Sequence, residues 1–206
     1  MPERTVFLQM LTYSIPCLFG LEGLVGDELR RLDLQDVQVE NGRVLCRGEI
    51  SDLPRLNINL RCGERVLIQL GSFPARSFEA LFEGVRALPW EEFIPRNGQF
   101  PVKGYALDSQ LHSVPDCQKI VKKAAARRLG QVYGLEQLPE TGAKYQIQFA
   151  IHRDQCTLYL DTSGAGLHKR GYRAVGVEAP LRETLAAAMV LLSCLLYTSP
   201  SPRDRS

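Results

Sequence analysis

The sequence predicts an α+β chain in which a ferredoxin-like unit is followed by a second α/β unit. Three observations carry this. Residues 13–73 read β-α-β-β-α-β, the order of the ferredoxin-like plan. An amphipathic helix restarts after Ser77, and residues 145–160 alternate apolar and polar side chains as a long antiparallel pair would. The 206 residues are 45% hydrophobic and 23% charged, which excludes general disorder.

Tyr13–Leu18 reads as a short buried strand. Gly20–Leu32 reads as a helix, because Leu21, Leu24, Val25, Leu29 and Leu32 keep the i, i+3, i+4 rhythm. Val37–Glu40 and Arg43–Cys46 flank Asn41-Gly42, a hairpin signal that predicts a type I′ turn. Ser51 is placed to cap a helix carrying Leu53, Leu56 and Leu60, and in Arg65–Phe73 the residues Val66, Ile68 and Leu70 alternate onto one face. In the second unit Ser77 caps a helix with Phe78, Leu81, Phe82, Val85 and Leu88 on one side, stopped by Pro89. Gln99–Leu107 is a strand broken by Gly104. Ser113-Val-Pro-Asp116 opens a helix expected to run to Tyr133, with Gly134 as its stop. Tyr145–Ile151 and Cys156–Leu160 then pair across His152–Gln155. From Asp161 the composition turns small and basic, as at a joint between domains, and Ala179-Pro180 opens a Leu- and Ala-rich helix that expects burial on a sheet.

Lys+Arg 25 against Asp+Glu 23 leaves a net charge of +2, so any polyanion must be met by local charge. The six cysteines show no C-x-x-C spacing and no nearby histidine pair, which argues against zinc and a disulfide scaffold and fits a reducing cytosol. No apolar run reaches the ~18–20 residues of a membrane span. Arg4 with Val6–Leu11 only faintly imitates a signal peptide, since Gln9 interrupts it, and the chain is expected to be cytoplasmic. His112, His152 and His168 read as structural or surface residues, and no metal is expected. No G-x-S-x-G, P-loop, H-E-x-x-H or dinucleotide fingerprint occurs.

The clearest chemical signal lies on the 114–133 helix. Lys119, Lys122, Lys123, Arg127 and Arg128 fall between Asp116 and Glu136 with no acid among them. On a helical wheel Cys117, Ile120, Val121, Ala124, Ala125, Leu129 and Val132 share one side. Lys119, Lys122, Lys123 and Arg127 share the other, and Arg128 intrudes on the apolar side, where it is expected to snorkel. An acid-free cationic face suits phosphates, although a solvated helix face accounts for the same charges. Lys103, at a glycine-broken strand, is near enough in sequence to join that patch. His168-Lys169-Arg170-Gly171-Tyr172-Arg173 mixes cations with an aromatic ring, able to grip a backbone and stack a base, or to serve as a charged linker.

Several of these segments together resemble the N-terminal part of bacterial THUMP-domain RNA methyltransferases, in particular those that methylate guanine N2 of 23S ribosomal RNA with S-adenosylmethionine. The resemblance covers about Tyr13–Ser193 and rests most on Pro101-Val-Lys-Gly104, Ser109-Gln110, Ser113–Lys119, Leu160–Arg173 and Ala179–Ala188. Phe19–Glu22, Asn41–Arg43 and Leu88–Glu91 add to it. It implies a ferredoxin-like domain at residues 1–74, an RNA-binding THUMP domain at 75–166, and a joint with the first helix of a Rossmann-like methyltransferase domain at 167–193. Lys103, Ser109, Lys119, Lys122, Lys123, Arg127, Lys169, Arg170, Tyr172 and Arg173 are its expected RNA contacts, and Glu183 and Thr184 its expected cofactor neighbours. The glycine-rich cofactor loop and the Asn/Asp-Pro-Pro-Tyr type catalytic motif are not in the sequence. The chain is therefore expected to be inactive and to bind S-adenosylmethionine poorly. Alternatives are a stand-alone RNA-binding module, a tRNA-directed methyltransferase, or a ferredoxin-like regulatory domain that binds a small metabolite. Cys194–Asp204 resembles a translated transposon-end sequencing adapter, so residues 194–206 are expected to be an assembly scar and the natural protein to continue past Ser193.

Overall fold

The computed structural model describes residues 10–171 and 180–193. The chain divides into two compact units, residues 1–66 with 165–206, and residues 67–164.

In the first unit β1 (Leu11–Pro16), α1 (Glu22–Arg31), β2 (Gln35–Glu40), β3 (Arg43–Gly48) and α2 (Asp52–Asn59) follow the expected order. β3 lies between β1 and β2 and is antiparallel to both, so β1 and β2 form a βαβ unit split by a third strand. Tyr13, Ser14 and Ile15 on β1, Val25 and Leu29 on α1, Val44 and Cys46 on β3 and Leu56 on α2 are buried, whereas Leu24, Leu32 and Leu53, placed on the same apolar faces by the sequence, are only half-buried. Two local expectations differ. Gly42 has φ +75° but Asn41 does not enter the positive region, so the hairpin turn is not type I′. Glu22 accounts for its geometry by accepting the Gly42 N–H at 2.9 Å and the Gly20 N–H at 2.8 Å. Ser51 is itself helical and caps nothing; the Asp52 carboxylate accepts the Glu49 N–H at 2.9 Å instead.

The second unit contains β4 (Leu67–Pro74), α3 (Phe78–Arg86), a 3-10 turn at Trp90–Glu92, β5 (Val102–Leu107), α4 (Val114–Tyr133), β6 (Gln146–His152) and β7 (Gln155–Asp161). Its strands run in the order β4-β7-β6-β5, antiparallel except for the β5–β6 pair. A register shift between Gln69 and Gly71 breaks the alternation expected at Leu70, which is half-buried. The β6–β7 turn carries positive φ at both Arg153 (+50°) and Asp154 (+61°), the type I′ signature. α3 and α4 pack together, α3 against β4 and α4 against β5. Their buried residues Leu81, Val85, Cys117, Val121, Ala124, Ala125 and Leu129 meet the Ile147, Phe149, Ile151, Cys156 and Leu158 face of the sheet. Ser77 caps α3 by accepting the Ala80 N–H at 3.1 Å, and Gly134 closes α4 at φ +64°. Phe78 and Val132, assigned to apolar faces by the wheel, are 41% and 47% exposed, because each sits in a terminal turn beyond the sheet.

α5 (Glu183–Ser193) belongs to the first unit. It buries Thr184 and Ala188 and leaves Met189, Val190 and Leu192 exposed, and Leu181 just before it is exposed too. Residues 194–206 lie outside the described residues. No described helix is long and apolar enough to cross a membrane, and no metal-ligating cluster occurs among the described residues. The five described cysteines are unpaired, and burial pushes Cys46, Cys62 and Cys156 up to about 12.

Candidate nucleic-acid interface

α4 provides the frame. Pro115 lies in its first turn, and Ser113 donates its hydroxyl to the Asp116 carboxylate at 2.6 Å rather than accepting a backbone N–H. That bond, followed by Lys119, holds the Asp116 carboxyl below its usual range.

The cations of α4 separate into two groups. Lys119, Lys123 and Arg127 lie four residues apart on the exposed side, about 6 Å per step along the axis. Lys119 makes a 3.3 Å ion pair with Asp116, both side chains more than half exposed, so the pair is weak and easily exchanged. Lys123 and Arg127 have no hydrogen-bond or ion-pair partner among the described residues. The other two cations are held inside the unit. Lys122 pairs with Glu140 at 2.8 Å and sits 4.9 Å over the Phe100 ring. Arg128 does not snorkel; it grips both carboxylate oxygens of Glu91, one at 3.1 Å. The Arg128 bond holds the Glu91 carboxyl below the ordinary glutamate range. The run that is acid-free in sequence is therefore not acid-free in space.

Lys103 does not join this stripe. It is exposed on β5, where Val102, Gly104 and Ala106 alternate with it. Gly104 faces the helices: a Cβ there would lie 2.5 Å from the Phe149 ring. Lys103 therefore points to the opposite side of the sheet from α4, together with Tyr105 and Leu107. Ser109 shapes a loop, donating to Asp154 at 2.9 Å while Asp154 also accepts the Gln110 N–H at 2.8 Å.

In the first unit Lys169 is exposed, whereas Arg170 acts as a strut, donating to the carbonyls of Ile58 at 2.8 Å, Leu167 at 3.1 Å and Leu60. Tyr172 and Arg173 lie outside the described residues. Sequence reasoning missed Glu64, whose carboxylate accepts from Thr184 at 2.6 Å and His168 at 3.1 Å and lies 3.5 Å from Arg182. Glu64 thus ties the joint and α5 to the α2–β4 loop; nothing in the local sequence marks it. Glu183 lines a cleft of about 330 Å³ with Ile58, Leu60 and Ala187. The Thr184 hydroxyl is held by Glu64 and the Arg170 fork by backbone carbonyls.

Residues 12–67 match the RlmL ferredoxin-like domain and residues 75–161 match the THUMP domain. The chain is 45% identical over 176 residues to the putative RNA methyltransferase YpsC of Bacillus subtilis (strain 168), covering 84% of this chain and 46% of that protein. It is 35% identical over 175 residues to the ribosomal RNA large subunit methyltransferase K/L of Syntrophotalea carbinolica, covering 84% of this chain and 24% of that protein. The chain thus spans less than half the length of the curated relatives it matches. Among solved structures, a predicted N6-adenine-specific DNA methylase from Listeria monocytogenes superposes with a TM-score of 0.86 at 48% identity, over 89% of this chain and 48% of that one. SMU.472, a putative methyltransferase complexed with SAH, gives 0.84 at 42% identity, over 89% of this chain and 49% of that one.

Proposed function

Since the chain belongs to the THUMP-domain proteins, with an RlmL-type ferredoxin-like domain ahead of its THUMP domain, we propose that it is the RNA-binding front end of an S-adenosylmethionine-dependent RNA methyltransferase. The observation that carries this is the Lys119–Lys123–Arg127 stripe, three exposed cations in line on one rigid helix. Their charges have no strong acidic partner within the described residues. Such a stripe can neutralise successive phosphates and release their counterions. The large-subunit ribosomal RNA methyltransferases among its relatives favour 23S ribosomal RNA as the substrate, and we take guanine N2 as the modified atom from the sequence resemblance alone. S-adenosylmethionine would supply the methyl group. This chain's own residues bind and orient the RNA.

The stripe defines its own test. Three phosphate contacts at ~0.7–0.9 counterions each give a log K against log salt slope of about −2 to −3. Binding of a 23S ribosomal RNA fragment is measured across a salt series, with circular dichroism to verify folding. Replacing Lys119, Lys123 and Arg127 by Gln should flatten the slope by about two units, whereas Lys122→Gln should leave it unchanged. A folded triple variant with the original slope means that the helix face is only solvated.

A further inference from the structure

We propose that the groove between α3 and the C-terminal half of α4 receives one unpaired nucleotide of the bound RNA, an inference that rests on the reading of the α4 stripe. The groove is open to solvent, has a volume of about 770 Å³ and is lined by Phe82 and Arg86 from α3 and by Lys123, Ala126, Arg127 and Gly130 from α4. A space of this size accommodates a nucleotide.

Its two walls differ in chemistry. The α3 wall carries two planar groups: the Arg86 guanidinium lies 6.0 Å over the Phe82 ring and is anchored by Glu83 at 2.5 Å. An aromatic ring and a guanidinium plane both stack with a base without regard to its identity. The α4 wall carries Lys123 and Arg127, two of the three stripe cations, so the groove is continuous with the phosphate-binding face. The floor is low because Ala126 and Gly130, four residues apart, have almost no side chain. Gly130 cannot be enlarged freely, since a Cβ there would lie 2.8 Å from the Leu135 carbonyl oxygen, in the turn where the Leu135 N–H returns to Gly130. The far end holds Gln131 and the acid Glu136. That polarity places the phosphate at the Lys123/Arg127 end and the base at the Gln131/Glu136 end, where amide and carboxylate can meet its polar edge.

The test uses the whole chain and two hairpin RNAs that differ by one bulged uridine. Wild type should prefer the bulged hairpin about tenfold, the scale of one stacked base. Ala126→Phe fills the floor, and Phe82→Leu removes the ring at similar volume. Either should erase the preference while leaving the salt slope at its wild-type value. If Ala126→Phe does not fold, Phe82→Leu decides. Equal binding of the two hairpins by wild type, as expected if the groove instead takes an aromatic side chain of a protein partner, overturns the proposal. A preference that survives in a folded variant overturns it as well. In both cases a steep salt slope leaves the α4 stripe standing, whereas a flat slope on both hairpins removes the stripe reading itself.

Discussion

Arg170→Gln separates a structural arginine from an RNA-binding one. The Arg170 guanidinium donates to the Ile58 and Leu60 carbonyls, at and just past the end of α2, where helix carbonyls lack intrahelical donors and a cation is favoured by the dipole. A charged donor adds roughly 1.5–3 kcal/mol per bond. Both groups are partly reached by water, so replacement by solvent recovers a good part, and the expected loss is about 2 kcal/mol. At 1.4 kcal/mol per decade this is about a thirtyfold larger open population. Amide hydrogen exchange across the last turn of α2, residues 56–60, reads that opening directly. The strut reading requires accelerated exchange with an unchanged salt slope for RNA. Unchanged exchange together with a slope shallower by ~0.7–0.9 would refute it and make Arg170 a phosphate ligand.

Three further outcomes follow from the second unit. Gly104→Ala would bring a Cβ to 2.3 Å from the Phe149 carbonyl oxygen, so urea unfolding should show a loss of about 3 kcal/mol, whereas Gly134, with open space around its Cβ position, has only its φ to resist substitution. Ser77→Ala removes the cap of α3 and should cost about 1 kcal/mol in the same assay. Glu91 is held below the ordinary glutamate value in the folded state, so its contribution is present above that value and is lost as pH falls through its folded pKa. The acid limb of a stability–pH curve should therefore be flatter in Glu91→Gln; an identical limb would show that the Arg128 pair contributes nothing.

What was legible in the sequence is local. The Asn41-Gly42 hairpin, the Ser77 cap, the Gly134 stop and the β6–β7 alternation each rest on residues within a few positions of one another, where backbone preference and side-chain period act directly. What was not legible depends on partners far along the chain. Arg128 is accommodated on the apolar side of its wheel by Glu91, which meets it from the Trp90–Glu92 turn, and the charge of Lys122 is taken up by Glu140. Lys103 was grouped with the helix cations by nearness in sequence. The strand alternation that sends it to the other side of the sheet could have shown this, through Gly104 facing the core. The same limit hid Glu64, a single glutamate that three residues from the joint and α5 converge on.

The most direct measurement is ultraviolet crosslinking of the chain to a 23S ribosomal RNA fragment, followed by mass spectrometry of the attached peptides. Crosslinks are expected in residues 114–133, at Lys119, Lys123 and Arg127, and at Phe82 across the groove. Crosslinks confined to Lys103 and Tyr105 on β5, with none on α4, would place the RNA on the opposite side of the sheet and contradict the assignment.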